Sequence, residues 1–246
     1  MEWINKVVIV TGGGTGIGQA TCLQLAEQGV KVVINYSRSQ LEAEETALQI
    51  IQNGGQAITI QADVSRQHQV QNMITEVINK YGRIDGLVNN ASITRQLPFA
   101  DLEQITDDIW DELYNTNVKG MFYCAQAVAP WMKQAHQGSI INLGSIAGST
   151  GYGSSLPYAV SKGAVHTLTK SLARALSPHI RVNCIIPGAV DTRWWTGNEE
   201  KMNRLTTHSL LERISTPADI ASLICAILQQ ESMTGQLVTV DNGQTL

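Results

Sequence analysis

Short apolar runs alternate with amphipathic stretches along the whole chain. The runs Lys6–Thr11, Lys31–Asn35, Ala57–Gln61, Gly86–Asn89, Ser139–Leu143, Arg181–Ile186 and Leu237–Val240 are brief, and most are rich in Val and Ile. That is the composition of strands buried on both faces of a parallel sheet. Between them, Gln40–Asn53 places Leu41, Ala47, Leu48 and Ile51 at helical intervals and meets Gly54-Gly55, a left-handed stop signal. Gln67–Lys80 repeats the pattern with Val70, Met73, Ile74, Val77 and Ile78. Strand and helix in alternation predict βαβ units with right-handed crossovers, hence a doubly wound α/β sheet of about seven mostly parallel strands with helices on both faces. Such crossovers put the carboxyl ends of the strands on one edge, where ligands bind. No repeat, low-complexity tract or Pro/Ser-rich linker interrupts the order, so residues 1–246 are expected to form a single domain.

The first strand runs into Thr11–Gly18, TGGGTGIG, and a helix is expected over Ile17–Gln28, ending before Gly29. Glycine at five of eight positions costs conformational entropy on folding, and a flexible surface turn is the bland account. Between a strand and a helix a second account is stronger. A backbone that turns sharply and lets an anion lie against its amides cannot carry Cβ atoms there, and the positive end of the helix suits a pyrophosphate. The arrangement is Rossmann-type, although the spacing Gly12-x3-Gly16-x-Gly18 is not the common GxGxxG.

Tyr158 and Lys162 stand one helical turn apart in YAVSK. On a helix they share a face, and a nearby ammonium is expected to lower the tyrosine pKa from its usual value of about 10. Such a tyrosine serves as general acid for a carbonyl or base for an alcohol. Ser145, at the end of the fifth strand, is placed to donate to the same substrate oxygen.

Composition removes several alternatives. The 246 residues are 43% hydrophobic and 15% charged with 21 glycines, a globular balance. A formal net charge of −4 and the lack of a basic run argue against nucleic acid as a partner. No apolar stretch approaches the ~18 residues of a membrane span, and Met1-Glu2-Trp3-Ile4-Asn5-Lys6 lacks the layout of a secretory signal, so a cytoplasmic location is expected. Cys22, Cys124, Cys184 and Cys225 are too far apart for a CxxC motif and read as reduced packing residues. His68, His136, His166, His179 and His208 show no ligand spacing, so no metal is expected.

Further motifs occur in a fixed order: Asp63-Val64 after the third strand, Asn89-Asn90-Ala91-Ser92 after the fourth, Asn117 in NTNVKG, Ser145 in NLGSIAG, Tyr158 and Lys162 in YAVSK, and Pro187-Gly188 in IRVNCIIPG. With the TGxxxGxG loop, this series resembles the short-chain dehydrogenases/reductases of the classical type, from Lys6 to the carboxyl terminus. The resemblance implies a hydride-transfer enzyme with Asn117, Ser145, Tyr158 and Lys162 as catalytic residues, Lys162 also holding the nicotinamide ribose and Asn117 a relay water. It implies a cofactor site formed by Gly12, Thr15, Gly16, Ile17, Gly18, Asp63, Val64, Asn90 and Ala91, with Pro187, Gly188, Val190 and Thr192 at the nicotinamide.

Cofactor choice is read at the end of the second strand, where NAD enzymes carry an acid for the ribose 2′-hydroxyl. That position reads as Asn35, followed by Tyr36-Ser37-Arg38, a hydroxyl and a cation suited to a phosphate. NADP(H) is therefore favoured, with NAD(H) open. A solvated loop charge is the alternative for Arg38.

The likeness is greatest to 3-oxoacyl-[acyl-carrier-protein] reductases and to glucose and other alcohol dehydrogenases. The substrate expected is a small carbonyl compound or alcohol, and the resemblance implies a homotetramer. A carrier-linked enzyme needs a basic docking face near the active-site entrance. The positions where relatives carry it read Lys133–Ser139 and Ser177-Pro178-His179, a thinned surface. Residues 190–215, with Arg193-Trp194-Trp195, resemble the family's substrate lid. The tryptophans suit either an apolar substrate or an anchoring contact. A reading from another class is a nucleotide-binding protein without turnover, though relatives of that kind usually lose Tyr or Lys, and both stand here.

Overall fold

The computed structural model describes residues 3–197, 202 and 209–246. Seven strands form one parallel sheet in the order β3-β2-β1-β4-β5-β6-β7. They are β1 Val7–Thr11, β2 Lys31–Tyr36, β3 Gln56–Gln61, β4 Gly86–Asn89, β5 Gly138–Leu143, β6 Ile180–Pro187 and β7 Leu237–Val240. The strand order reverses between β1 and β4, and a crevice at the carboxyl ends of strands opens at such a switch point.

Central strands are apolar at consecutive positions because both faces are covered. Val7 and Ile9 of β1 pack on one side, with α3 Gln67–Tyr81, α5 Gly120–Gln134 and α7 Leu156–Leu176. Val8 and Val10 pack on the other, with α1 Gly16–Glu27, α2 Gln40–Gln52 and α8 Pro217–Gln229. Local sequence sets the helix starts. Thr216 and Asp219 form a reciprocal capping box behind Pro217 in α8. In α7 the Ser155 side chain caps the Tyr158 N–H, with Pro157 in the first turn. That cap fixes where the helix bearing Tyr158 and Lys162 begins.

The segment before α5 was not assigned from the sequence. It is α4, Asp107–Tyr114, running through a π-helical turn at Asn115–Lys119 directly into α5. A short helix α6, Ala147–Thr150, follows β5. It lies against α7 because Gly148 has no side chain; a Cβ there would stand 2.5 Å from the Lys162 carbonyl carbon.

Among the described residues no helix is long and apolar enough to cross a membrane. Of the lid expected at 190–215, residues 198–201 and 203–208 lie outside the described ones, as does His208. The segment Arg193–Trp195 is a 3-10 turn.

Candidate active site

A cleft of about 840 Å³ opens at the carboxyl edge of the sheet. The glycine loop, the ends of β2 and β3, Asn90-Ala91, Ser145, Tyr158, Lys162 and Pro187–Thr192 all contribute to it.

The loop is a cradle that a side chain would fill. Gly12 and Gly16 have φ of 62° and 55°, the left-handed region where glycine is at ease. A Cβ on Gly18 would lie 2.3 Å from the Gly12 carbonyl oxygen and 2.6 Å from Asn90 Nδ2. Asn90 holds the cradle from the β4 side, donating from Nδ2 to the Thr11 and Gly12 carbonyls at 2.9 and 3.0 Å. Thr11 Oγ1 in turn accepts from the backbone of Asn90 and Ala91, each at 3.0 Å. Thr15, the N-cap of α1, makes no side-chain cap bond. The first-turn amides of α1 therefore face the cleft without a side-chain acceptor, as a bound diphosphate requires. The residues present fit a dinucleotide.

Around the far end of this cradle, Asp63 Oδ1 accepts from the Ser65 N–H and hydroxyl at 2.9 and 2.7 Å, an Asx turn that orients the carboxylate. Val64 beside it is buried against Gly120, where a Cβ would meet it at 2.8 Å. Asn35 borders the cleft but is buried. Its Nδ2 donates to the carbonyls of Ile60 and Ala62 at 3.3 and 2.9 Å, stitching β2 to the β3 end. Strand alternation puts the next side chain on the opposite face. The residues left to read a ribose substituent are thus Tyr36, Ser37 and Arg38, which line the cleft. Arg66 also lines it, a cation the sequence reading missed; its only signal was its place three residues after Asp63.

Deeper in, Ser145, Tyr158 and Lys162 converge. The Ser145 side chain hydrogen-bonds the Tyr158 phenol, and its Oγ accepts from the Ala147 N–H at 3.1 Å. Lys162 is only 2% exposed. Its Nζ donates to the Leu143 carbonyl at 2.8 Å and stands 5.8 Å from the centre of the Tyr158 ring. Burial pulls the Lys162 ammonium down to about 8. Burial likewise pushes the Tyr158 phenol up to about 12, against the lowering effect of the Ser145 bond. The lowering expected from the neighbouring ammonium does not set the phenol: burial is the largest influence, opposed by the Ser145 bond.

Asn117 lies in the π-helical turn and is fully buried. Its Nδ2 donates to the Ile93 carbonyl and Ser161 Oγ at 3.0 and 3.1 Å. Its Oδ1 accepts from Ser92 Oγ and the Ile93 N–H, both at 2.9 Å. Two donations and two acceptances use the whole capacity of the amide. The side chain thus ties the loop after β4 to α7.

Gly188 packs on Asp241, 2.7 Å from a built Cβ to that residue's Cβ. The Val190 side chain is in the core, bridged by its backbone to Ser215. Thr192 Cγ2 lies over the glycine loop, 3.4 Å from a Cβ built on Gly16. His166, one turn beyond Lys162, was passed over in the sequence because a lone histidine without ligand spacing carries no signal. Its buried imidazole donates to the Ser145 backbone, and Nε2 has no partner among the described residues.

The positions read as a docking face are not at this entrance. Residues 133–139 and 177–179 lead into the amino ends of β5 and β6, the opposite edge, where the rings of His136 and His179 meet at 4.6 Å.

The short chain dehydrogenase family model matches residues 6–203. The chain is 61% identical to the short-chain dehydrogenase/reductase homolog YusR of Bacillus subtilis over 129 residues, which is 52% of this chain and 100% of that relative. It is 35% identical to the 3-oxoacyl-[acyl-carrier-protein] reductase FabG of Staphylococcus epidermidis over 98% of this chain and 99% of that one. A solved structure described as a short-chain dehydrogenase/reductase from Burkholderia xenovorans superposes with a TM-score of 0.91 at 35% identity, covering 98% of each chain. The chain belongs to the short-chain dehydrogenase family. Within that family it is an NAD(P)-dependent oxidoreductase acting on CH–OH groups.

Proposed function

We propose that the chain is an NADPH-dependent carbonyl reductase, reversible as a secondary-alcohol dehydrogenase, with Tyr158 as general acid and base. The observation that carries this reading is the convergence of Ser145, Tyr158 and Lys162 on one wall of the cleft, beside a glycine cradle suited to a diphosphate. When bound there, the nicotinamide supplies the hydride.

The chain's own residues do the rest. Ser145 Oγ and the Tyr158 phenol hold the substrate oxygen, and each donates a hydrogen bond as negative charge grows on it. A phenol whose pKa is high suits proton donation to an alkoxide and is a weak base until something stabilises its anion. Lys162 supplies that stabilisation, since a buried cation beside the ring favours phenolate. Asn117 acts by position, fixing the loop of Ser92 and Ile93 against α7.

NADPH is preferred over NADH because Arg38 and Arg66 face the ribose end and no carboxylate ends β2. Ser145, Tyr158 and Lys162 form the catalytic set, with Asn117 as a positioning residue. Gly12, Thr15, Gly16, Ile17, Gly18, Ser37, Arg38, Asp63, Val64, Asn90, Ala91, Pro187, Gly188, Val190 and Thr192 form the cofactor site. A homotetramer is the assembly proposed, tested by sedimentation velocity.

The test is NADPH oxidation against a panel of ketones and 3-oxoacyl esters with wild type and Tyr158→Phe. A loss of about 10²-fold or more in kcat, with the circular dichroism retained, supports the reading. Unchanged activity overturns it. The FabG relative favours a second reading, a 3-oxoacyl-carrier reductase. It requires acyl-carrier thioesters to outcompete free ketones in the same assay.

A further inference from the structure

Beyond Tyr158 the cleft is walled by rings and neutral side chains. Trp194 meets the Tyr158 ring edge to face, with centroids 5.9 Å apart and planes at 71°. It remains 42% exposed while lining the cleft, so part of its indole is open to what binds there. Its neighbour Trp195 is the anchor, its Nε1–H donating to the Val190 carbonyl at 2.9 Å. At the mouth, Tyr152 stacks on Phe99 with centroids 5.0 Å apart and planes at 27°.

Charge on this wall is paired. Glu112 lines it, ion-paired at the rim with Arg95 at 2.6 Å. The cations lining the cleft among the described residues sit elsewhere. Arg38 and Arg66 follow β2 and β3, and Arg193 reaches back to Glu42 and Ser39 at the start of α2, at 3.4 and 3.3 Å. Lys162 is buried behind Tyr158.

We propose that the substrate is a neutral ketone carrying a planar ring beside its carbonyl, with that ring stacked on Trp194. The proposal rests on the reductase reading above and names the substrate class of the same site. A ring placed on the indole gains the favourable geometry of offset or edge contacts in addition to area. It also arrives rigid, whereas a flexible acyl chain loses rotamer freedom for the same buried area. A carboxylate or phosphate on the substrate would find Arg95 already held by Glu112, and would have to break that ion pair to gain a cation on that wall.

The test has two arms. The first measures kcat/KM with NADPH for an aryl ketone such as 1-tetralone, for 2-octanone, for a 3-oxobutanoate ester and for benzoylformate as the anionic ring compound. The second follows tryptophan fluorescence as 1-tetralone is added without cofactor. The expected order places the neutral aryl ketone first and benzoylformate at least about tenfold lower. Trp194→Ala is expected to raise KM for the aryl ketone on the order of tenfold, several-fold more than it raises KM for 2-octanone, and to leave the NADPH dissociation constant unchanged. Trp194→Phe restores most of the loss. Preference for the aliphatic substrates, or an equal effect of Trp194→Ala on all of them, overturns the proposal. If no carbonyl compound is turned over, the reductase reading fails. The fluorescence arm still decides the ring site, through quenching that is lost in Trp194→Ala or never seen.

Discussion

A Cβ built on Gly144 would lie 2.9 Å from Nε2 of His166, and one on Gly148 would lie 2.8 Å from Cε1 of the same ring. The turn that carries Ser145 is therefore wrapped around an imidazole on α7, with two glycines making room. Gly144→Ala is expected to cost about 1–3 kcal/mol by overpacking. Gly148→Ala is expected to cost more, because its Cβ also meets backbone, 2.5 Å from the Lys162 carbonyl carbon. Urea denaturation of both variants checks the order. Equal, negligible shifts would show that the turn yields freely.

Lys162 and Tyr158, both buried, give opposite slopes of stability against pH. Lys162 falls from its ordinary 10.5 to about 8 in the fold. Its desolvation penalty is thus complete below about pH 8 and is relieved as pH rises toward 10.5, where the folded protein has shed a proton that the unfolded chain still holds. Tyr158 rises from 10.0 to about 12. Its contribution is present below pH 10 and is lost as pH climbs through about 12. The cofactor-free protein should gain stability from pH 8 to 10 relative to Lys162→Met. A flat difference between the two proteins across that window contradicts the burial of the ammonium.

Arg38 lines the cleft just past β2 and pairs with no described side chain. Replacing Arg38 with Ala should lower kcat/KM for NADPH about 10- to 100-fold, as loss of a charge-assisted phosphate contact does. Values for NADH should move less than about twofold. Equal losses with both cofactors would assign Arg38 to general packing.

Gly18→Ala should abolish nucleotide binding before it unfolds the chain. The new methyl would overlap the Gly12 carbonyl, so the loop must open where a diphosphate lies. Calorimetric titration is expected to show a dissociation constant raised at least about tenfold, with a stability loss of about 1–3 kcal/mol. Wild-type binding would mean that the cradle is not the nucleotide site.

The strands were legible because a parallel sheet covered on both faces leaves nearly continuous apolar runs at its centre, as in β1 and β4. The same property hid the register. In Lys31–Tyr36 the sequence KVVINY has no polar alternation to say which face each residue takes, so the bonds of the Asn35 amide to the end of β3 could not be read from it. The helix Gly120–Gln134 escaped notice since Pro130 and its small, evenly apolar residues blur the period. Tyr158 and Lys162 were legible as one face of a helix, but their pKa values were not. Those depend on burial beneath parts of the chain distant in sequence, and on Ser145 and Cys184.

The amide of Asn117 fills every donor and acceptor it has with four atoms of three residues, Ser92, Ile93 and Ser161. No other side chain of that size reproduces the pattern: aspartate lacks the donors, and leucine lacks all four functions. A lineage or a designer changing that position must rebuild the loop after β4 and the face of α7 in the same step, so substitutions there should arrive in groups.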